Sequence, residues 1–254
     1  MARLDTLIRR HSGFTVPELL AVVAVILIII SILLPNLGIA RERAREAICR
    51  SNLHQIFIGS RSYTNECGYM PTGWDPPTGT VTWLTEIYPH IPDAKVFYCP
   101  TAPPEAKWDG PRFGSGLPPY YGTKQDQYRV HRSENFSYGH NNGGSADSSR
   151  PSLGVGDTTT HGWNRISMVR AASNFIMYGD STVDGLWDHF IDEDVIHSTG
   201  QNEFPADRHY GGAHIAFGDG HVEHILQKYL IFLGSEGTAL PENRRRWNND
   251  NQPH

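Results

Sequence analysis

One stretch dominates the pattern of apolar and polar positions. From Phe14 to Leu34 the chain reads FTVPELLAVVAVILIIISILL, 21 residues with a single charge at Glu18. At about 1.5 Å per residue, a helix over that run reaches roughly 30 Å, enough to cross a bilayer. The helix is expected to continue past Pro35. Leu37, Ala40, Ala44, Ala47, Ile48, Ser51 and Ile56 recur mostly at three- and four-residue steps and mark one small, weakly apolar face. Arg41, Glu42, Arg43, Arg45 and Glu46 fill the remainder with mixed signs, the pattern of a solvated helix face rather than a nucleic-acid patch. Gly68 and Pro71 are stop signals, so the helix should run from Phe14 to about Glu66 and measure roughly 75–80 Å.

Beyond it the pattern breaks into short runs. Strand candidates are Val81–Leu84, Lys95–Cys99, Phe136–Tyr138, Asn174–Tyr178, Ala213–Phe217 and His221–Ile225. The Pro- and Gly-rich stretch 101–122 and the small, polar stretch 141–150 read as loops. Around Gly218-Asp219-Gly220 the last two candidates form a three-residue hairpin signal, in which Asp219 can accept from turn amides and Gly220 can take positive φ. Alternation then puts His214 and Ala216 on one face of the strand and Ile215 and Phe217 on the other.

Charge and composition narrow the class. The 254-residue chain carries a net charge of −5, which supports neither a nucleic-acid nor an anionic-lipid binder, since both need a positive field. With 25 Gly, 17 Pro and only three Cys, a loop-rich body fits better than a helical bundle or a dense disulfide scaffold. Arg3, Arg9 and Arg10 precede the apolar run and would stay in the cytoplasm, leaving the C-terminal bulk outside. A run this long exceeds the apolar region of a secretory signal peptide, and Glu18 is costly for an ordinary anchor unless a partner awaits it.

Gly13 followed by Phe14-Thr15-Val16-Pro17-Glu18-Leu19-Leu20 resembles the cleavage signal of type IV pilins and pseudopilins. The resemblance implies a cut between Gly13 and Phe14 by a prepilin peptidase, methylation of Phe14 by the same N-methyltransferase, and an assembly role for Glu18 as the fifth mature residue. Pro35 falls at the twenty-second mature position, where pilins often carry a helix-kinking proline. Pro17 departs from the usual aliphatic residue, at little cost, because a first-turn proline lacks an N–H that would be unsatisfied anyway. In a filament, Glu18 can neutralise the Phe14 α-amine of a neighbouring subunit inside an apolar core.

The C-terminal half is similar to a bacterial family that pairs such an N-terminus with an H-x9-DG signature, here His209 through Asp219-Gly220. Cys49-Arg50-Ser51-Asn52-Leu53, Val96-Phe97-Tyr98-Cys99-Pro100 and Ser137-Tyr138-Gly139 carry the same resemblance. It implies an α+β, pilin-like fold, a long N-terminal transmembrane helix packed on a small antiparallel β-sheet head with long loops. The divisions are a leader at 1–13, a transmembrane or filament-core half-helix at 14–34, an amphipathic half-helix at 35–67, a β-rich head at 68–240 and a polar tail at 241–254. Because Cys49 and Cys99 lie in matching stretches, the resemblance implies a disulfide between them. Cys67–Cys99 stays open beside it, and either pairing leaves one thiol over.

The expected function is that of a non-enzymatic structural subunit. Its partners would be the prepilin peptidase, copies of itself or other pilin-like subunits, and an inner-membrane assembly platform, with no nucleic acid. It would sit as a single-pass inner-membrane protein with its head outside, then in a periplasmic or cell-surface filament. Two alternatives compete. A membrane-tethered binding module would use the head for a ligand or a metal, and a tethered hydrolase would use the acids Asp180, Asp184, Asp188, Asp192 and Asp194. Hydrolytic and nucleotide-binding motifs such as G-x-S-x-G, H-E-x-x-H and a Walker loop are absent from the sequence. No cofactor is expected. A structural calcium or zinc is the alternative, with Asp180, His209 and Asp219 as the candidate ligands and Asp207, His214, His221 and His224 near them in sequence or on neighbouring strands.

Overall fold

The computed structural model describes residues 14–75, 80–91, 93–108, 135–142, 154–156, 164–185, 187–193, 202–231, 245–248 and 250–252. Residues 1–13, the expected leader with Gly13 of the expected cleavage signal, lie outside them. The chain divides between Ala44 and Arg45 into two compact units. Helix α1, Val16–Cys67, supplies residues to both.

In the first unit, α1 is apolar on every side from Leu19 to Leu34 apart from Ser31, and it is long and apolar enough to cross a membrane. Its large side chains from Val16 to Leu34 are each between 42% and 72% exposed. A helix with no polar face needs a nonaqueous surrounding on every side.

The second unit is an α+β body. Strands β1 (Trp74–Asp75) and β2 (Thr80–Val81) form a small antiparallel pair, followed by the one-and-a-half-turn helix α2 (Thr82–Ile87). The main sheet contains β3 (Tyr138–Asn141), β4 (Ile176–Asp180), β5 (Phe190–Ile191), β6 (Gly212–Phe217) and β7 (Val222–Leu226), in the order β5-β3-β4-β6-β7. It is mixed rather than wholly antiparallel, because the two-residue edge strand β5 returns parallel to β3. The β6–β7 hairpin pairs His214 with His224 and Ala216 with Val222.

Each sheet face has its own apolar layer. Cys49, Leu53, Ile56, Phe57 and Tyr63 of α1 share one core with Trp83, Phe97, Tyr138, Tyr178 and Ala216. Polar side chains sew the helix to this core. Asn52 Nδ2 donates to the Tyr98 carbonyl at 2.9 Å, and the Tyr178 hydroxyl donates to Ser60 Oγ at 2.9 Å. The opposite face carries Ile176, Ile191, Ile215, Phe217, Leu230 and Trp247. Ala216 and Ile215 thus fall into different layers, as strand alternation requires. Trp247 belongs to the segment read from sequence as a polar tail, yet it is buried, and its indole donates to the Leu230 carbonyl at 3.2 Å.

Several sequence expectations are corrected. The buried face of α1 is Cys49, Asn52, Leu53, Ile56, Phe57, Gly59, Ser60, Tyr63 and Thr64, and of the predicted face only Ile56 belongs to it. Ile48 points away and is 48% exposed. The candidate Val81–Leu84 is mostly α2, since Trp83, Leu84 and Ile87 are all buried at helical spacing. Lys95–Cys99 is a 3₁₀ turn over Ala94–Phe97, started by Asp93, whose carboxylate accepts the Lys95 N–H at 3.0 Å. The strands expected at 136–138 and 174–178 begin two residues later, at Tyr138 and Ile176.

Candidate functional site

Two places carry the residues singled out by sequence. The first is the start of α1. Helical backbone begins at Val16, so Thr15 is the N-cap, Pro17 occupies the second helical position and Glu18 the third. Glu18 Oε2 accepts the Thr15 backbone N–H at 2.8 Å and the Thr15 hydroxyl at 2.7 Å. Glu18 therefore supplies the acid half of a capping box, a role that Thr15-Val16-Pro17-Glu18 announces by its T-x-x-E spacing and that the sequence reading missed. Phe14, just before the cap, is 79% exposed. Pro35 lies inside the helix, which continues through it to Cys67.

The second place is the β6–β7 hairpin with the segment that leads into it. Asp219 sits in the turn, where its Oδ1 accepts the His221 N–H at 3.1 Å and pairs with the His221 ring at 2.5 Å. Gly220 has φ +94°, which glycine adopts freely and L side chains rarely do. This turn rests on α1. His54 Nδ1 is 2.8 Å from the Gly220 carbonyl, and the Phe57 ring lies where a Cβ on Gly220 would be.

His209, at the other end of the signature, is elsewhere and buried. Its Nε2 lies 3.3 Å from Asp180 Oδ2, 3.3 Å from Thr101 Oγ1 and 3.4 Å from Cys99 Sγ. Cys99 is disulfide-bonded to Cys49 of α1, and Cys67 is free and exposed. The Cys67–Cys99 alternative is thereby excluded.

Asp180 ends β4 and is fully buried. Burial alone would raise its pKa. The His209 hydrogen bond, the Arg208 and His209 charges and the His214 backbone N–H at 2.7 Å outweigh that and hold the carboxyl below its ordinary range. Arg208 lies with Nε 3.8 Å from Asp180 Oδ1 and donates through Nη2 to the carbonyls of Ser137 and Ser181. The His214 ring lies 4.3 Å from that of His209, tilted by 40°, and burial pushes His214 down to about 4, against the pull of Asp180. The structure thus unites Asp180 and His209 but places Asp219, the third proposed ligand, in an exposed turn with His221. His214, grouped with them from sequence, joins the buried cluster, as do Cys49, Cys99 and Arg208, which only tertiary contact reveals.

Two groups have metal-ligand chemistry among the described residues. Cys49, Cys99, Asp180 and His209 each place one donor atom within 4.8 Å of the others, and Glu46, His209 and His214 do the same. Of the acidic stretch, Asp188 takes part in loop structure, accepting the backbone N–H groups of Asp184 and Gly185 at 3.2 Å. Asp194 lies outside the described residues.

No family model and no solved structure matches the chain. It is similar to the type IV wide pilus major component PilA4 of Thermus thermophilus, with 34% identity over 83 residues. The match takes in 30% of this chain and 63% of that protein, so the chain spans less than two thirds of the relative. The likeness to a pilin subunit and the membrane-capable helix are thus findings about parts of the chain.

Proposed function

We propose that this protein is a pilin-like structural subunit. A prepilin peptidase cuts it between Gly13 and Phe14 and methylates Phe14, and it then assembles through its N-terminal helix with copies of itself or related subunits. The observation that carries this reading is the uniform exposure of the apolar run Val16–Leu34. Within the chain those side chains cover nothing, and burying each against lipid or neighbouring helices is favourable by about 1.5–3 kcal/mol. Glu18 supports assembly over simple anchoring. A carboxylate beside an apolar run is expensive in lipid unless it finds a partner. The capping hydrogen bonds from Thr15 keep it satisfied in the isolated subunit, and the Phe14 amine that cleavage creates on a neighbour supplies a cation in the filament.

The head's construction fits the same role. A subunit held through one helix must keep its displayed domain in a fixed attitude to residues 45–67 of that helix. The Cys49–Cys99 bond, the His54–Gly220 contact and the Asn52 and Ser60 hydrogen bonds all do so. The likeness to a pilus component adds support from outside the chain. On this reading the subunit waits in the inner membrane with its head outside, is extracted by an assembly platform, and ends in a periplasmic or cell-surface filament.

Peptide mass spectrometry of protein from native membranes tests the reading. A mature N-terminus at Phe14, heavier by one methyl group, is expected, and Glu18→Ala should stay membrane-bound while leaving the filament fraction. A chain that begins upstream of Gly13 in every fraction would reject processing and favour a membrane-tethered binding module.

A further inference from the structure

The buried cluster beneath α1 has a composition that the structural role leaves unused. Cys49 comes from α1, Cys99 from the segment after the 94–97 turn, Asp180 from the end of β4 and His209 from the approach to β6. Four separate parts of the chain bring two sulfurs, an imidazole and a carboxylate together, all four residues buried and their donor atoms mutually within 4.8 Å.

We propose that the chain with Cys49 and Cys99 reduced binds one Zn²⁺ through both thiolates, His209 Nε2 and a carboxylate oxygen of Asp180. Tetrahedral zinc, with Zn–S near 2.3 Å and Zn–N or Zn–O near 2.0–2.2 Å, sets ligand–ligand edges of about 3.3–3.8 Å. His209 Nε2 already stands 3.4 Å from Cys99 Sγ and 3.3 Å from Asp180 Oδ2. The sulfur–sulfur edge must reach about 3.8 Å, so zinc and disulfide exclude each other at this place.

Charge and surroundings agree. Two thiolates and a carboxylate around a divalent ion leave one net negative charge, and Arg208, 3.8 Å from Asp180 Oδ1, supplies the balancing positive one. The His214 N–H holds Asp180 Oδ2 at 2.7 Å, the kind of outer contact that orients a ligating carboxylate. Asp180 Oδ1 makes no hydrogen bond among the described residues, although it is buried. The redox step balances with a dithiol. Two electrons and two protons pass to Cys49–Cys99 as the dithiol closes to a disulfide, and zinc then displaces both thiol protons into solvent. Zinc and disulfide are thus alternative staples between the same helix and the same loop. This inference does not depend on filament assembly.

The test uses the full chain in detergent micelles, with Cys67→Ser to remove the exposed thiol, reduced by a water-soluble phosphine and titrated with Co²⁺. One Co²⁺ per chain is expected, with tetrahedral d–d bands and a charge-transfer band of two thiolates, all displaced by one equivalent of Zn²⁺. Cys99→Ser should halve the charge-transfer intensity. His209→Gln and Asp180→Asn should weaken binding by more than the roughly 10–100-fold typical of an outer-shell partner, whereas His214→Gln, which keeps the backbone N–H to Asp180, should weaken it by less than that. The oxidised chain should bind none. No charge-transfer band at equimolar Co²⁺, binding indifferent to the cysteines, or binding abolished by His214→Gln alone would overturn the proposal, the last by moving the ion to the Glu46–His209–His214 group. If a variant fails to fold, X-ray absorption of the reduced, zinc-loaded parent decides, since any shell other than two sulfurs and two lighter atoms refutes it.

Discussion

Replacing Gly220 with alanine loads two separate costs onto one turn. The first is conformational, because φ there is +94°, and an L residue held in that region costs roughly 1–2 kcal/mol. The second is steric. A Cβ on residue 220 would lie 2.5 Å from Phe57 Cε1 and 2.8 Å from Cδ1, and the ring cannot swing away freely because Phe57 is only 9% exposed. Overpacking of that kind costs about 1–3 kcal/mol, so Gly220→Ala should lose about 2–5 kcal/mol in all. Urea unfolding of the full chain in micelles reads this through tryptophan fluorescence, with Trp83 and Trp247 as buried reporters. A cycle with Phe57→Leu separates the two costs. The smaller side chain relieves the clash but not the backbone strain, so the coupling energy should be at least about 1 kcal/mol. Asp219→Ala, in the same turn but exposed, should lose only about 0.5–1 kcal/mol with its hydrogen bond to the His221 amide. If Gly220→Ala unfolds within 0.5 kcal/mol of the parent, or if Phe57→Leu restores nothing, then the turn does not dock on α1 as described.

Three further predictions concern the same body. Reducing Cys49–Cys99 in the presence of a chelator should cost roughly 4 kcal/mol for a loop spanning 50 residues, seen as a fall in the thermal midpoint that re-oxidation reverses. Glu86, half-buried, is pushed up to about 7 by burial, against hydrogen bonds from the Thr72 amide, Tyr63 and the Thr72 hydroxyl. Its folded value exceeds the 4.5 of an unperturbed glutamate, so the folded chain holds the proton more tightly. The stabilisation is complete below pH 4.5 and is lost as pH rises through 7. Glu86→Gln should remove a stability decline of at most about 3 kcal/mol across that window, and parallel slopes for parent and variant in urea melts from pH 5 to 8 would contradict this. Trp247→Ala should cost about 3–5 kcal/mol by emptying the second sheet face, and a loss below 1 kcal/mol would mean that residues 245–248 do not pack there.

What the sequence disclosed follows from how each element is buried. The run Phe14–Leu34 is legible because all but Thr15, Glu18 and Ser31 are apolar, so no choice of face has to be made. The β6–β7 hairpin is legible because a two-fold alternation flanks Gly218-Asp219-Gly220. The packed face of α1 was not legible. It is built from Cys49, Asn52, Gly59 and Ser60 as much as from Leu53 and Phe57, and Asn52 and Ser60 are buried through hydrogen bonds to Tyr98 and Tyr178, partners distant in sequence. Counting alanines and Ile48 therefore pointed to the wrong side. Short turns such as Ala94–Phe97 escape for a related reason, since one capping carboxylate at Asp93 outweighs the β-forming composition of the run it starts.

The H-x9-DG signature was visible as a spacing, and the structure supplies its physical content. Tyr210 and Gly211 both have positive φ, 50° and 80°, and close a tight turn in which the Gly212 N–H meets the His209 carbonyl at 3.0 Å. β6 then takes six residues, Gly212–Phe217, and Gly218 opens the loop that ends with the left-handed Gly220. The nine intervening positions are thus one turn, one strand and the first residue of the next turn. Side chains alternate across a strand, so adding or deleting one residue would send His214 to the Ile215 face and strand Asp180 without its amide donor. The spacing is rigid because both ends dock against other parts of the chain. His209 meets Asp180 and Cys99, and Gly220 meets Phe57 and His54 of α1. Neither Asp180 nor Cys99 belongs to the signature, so no inspection of the spacing could have found them, although each fixes why histidine stands at position 209.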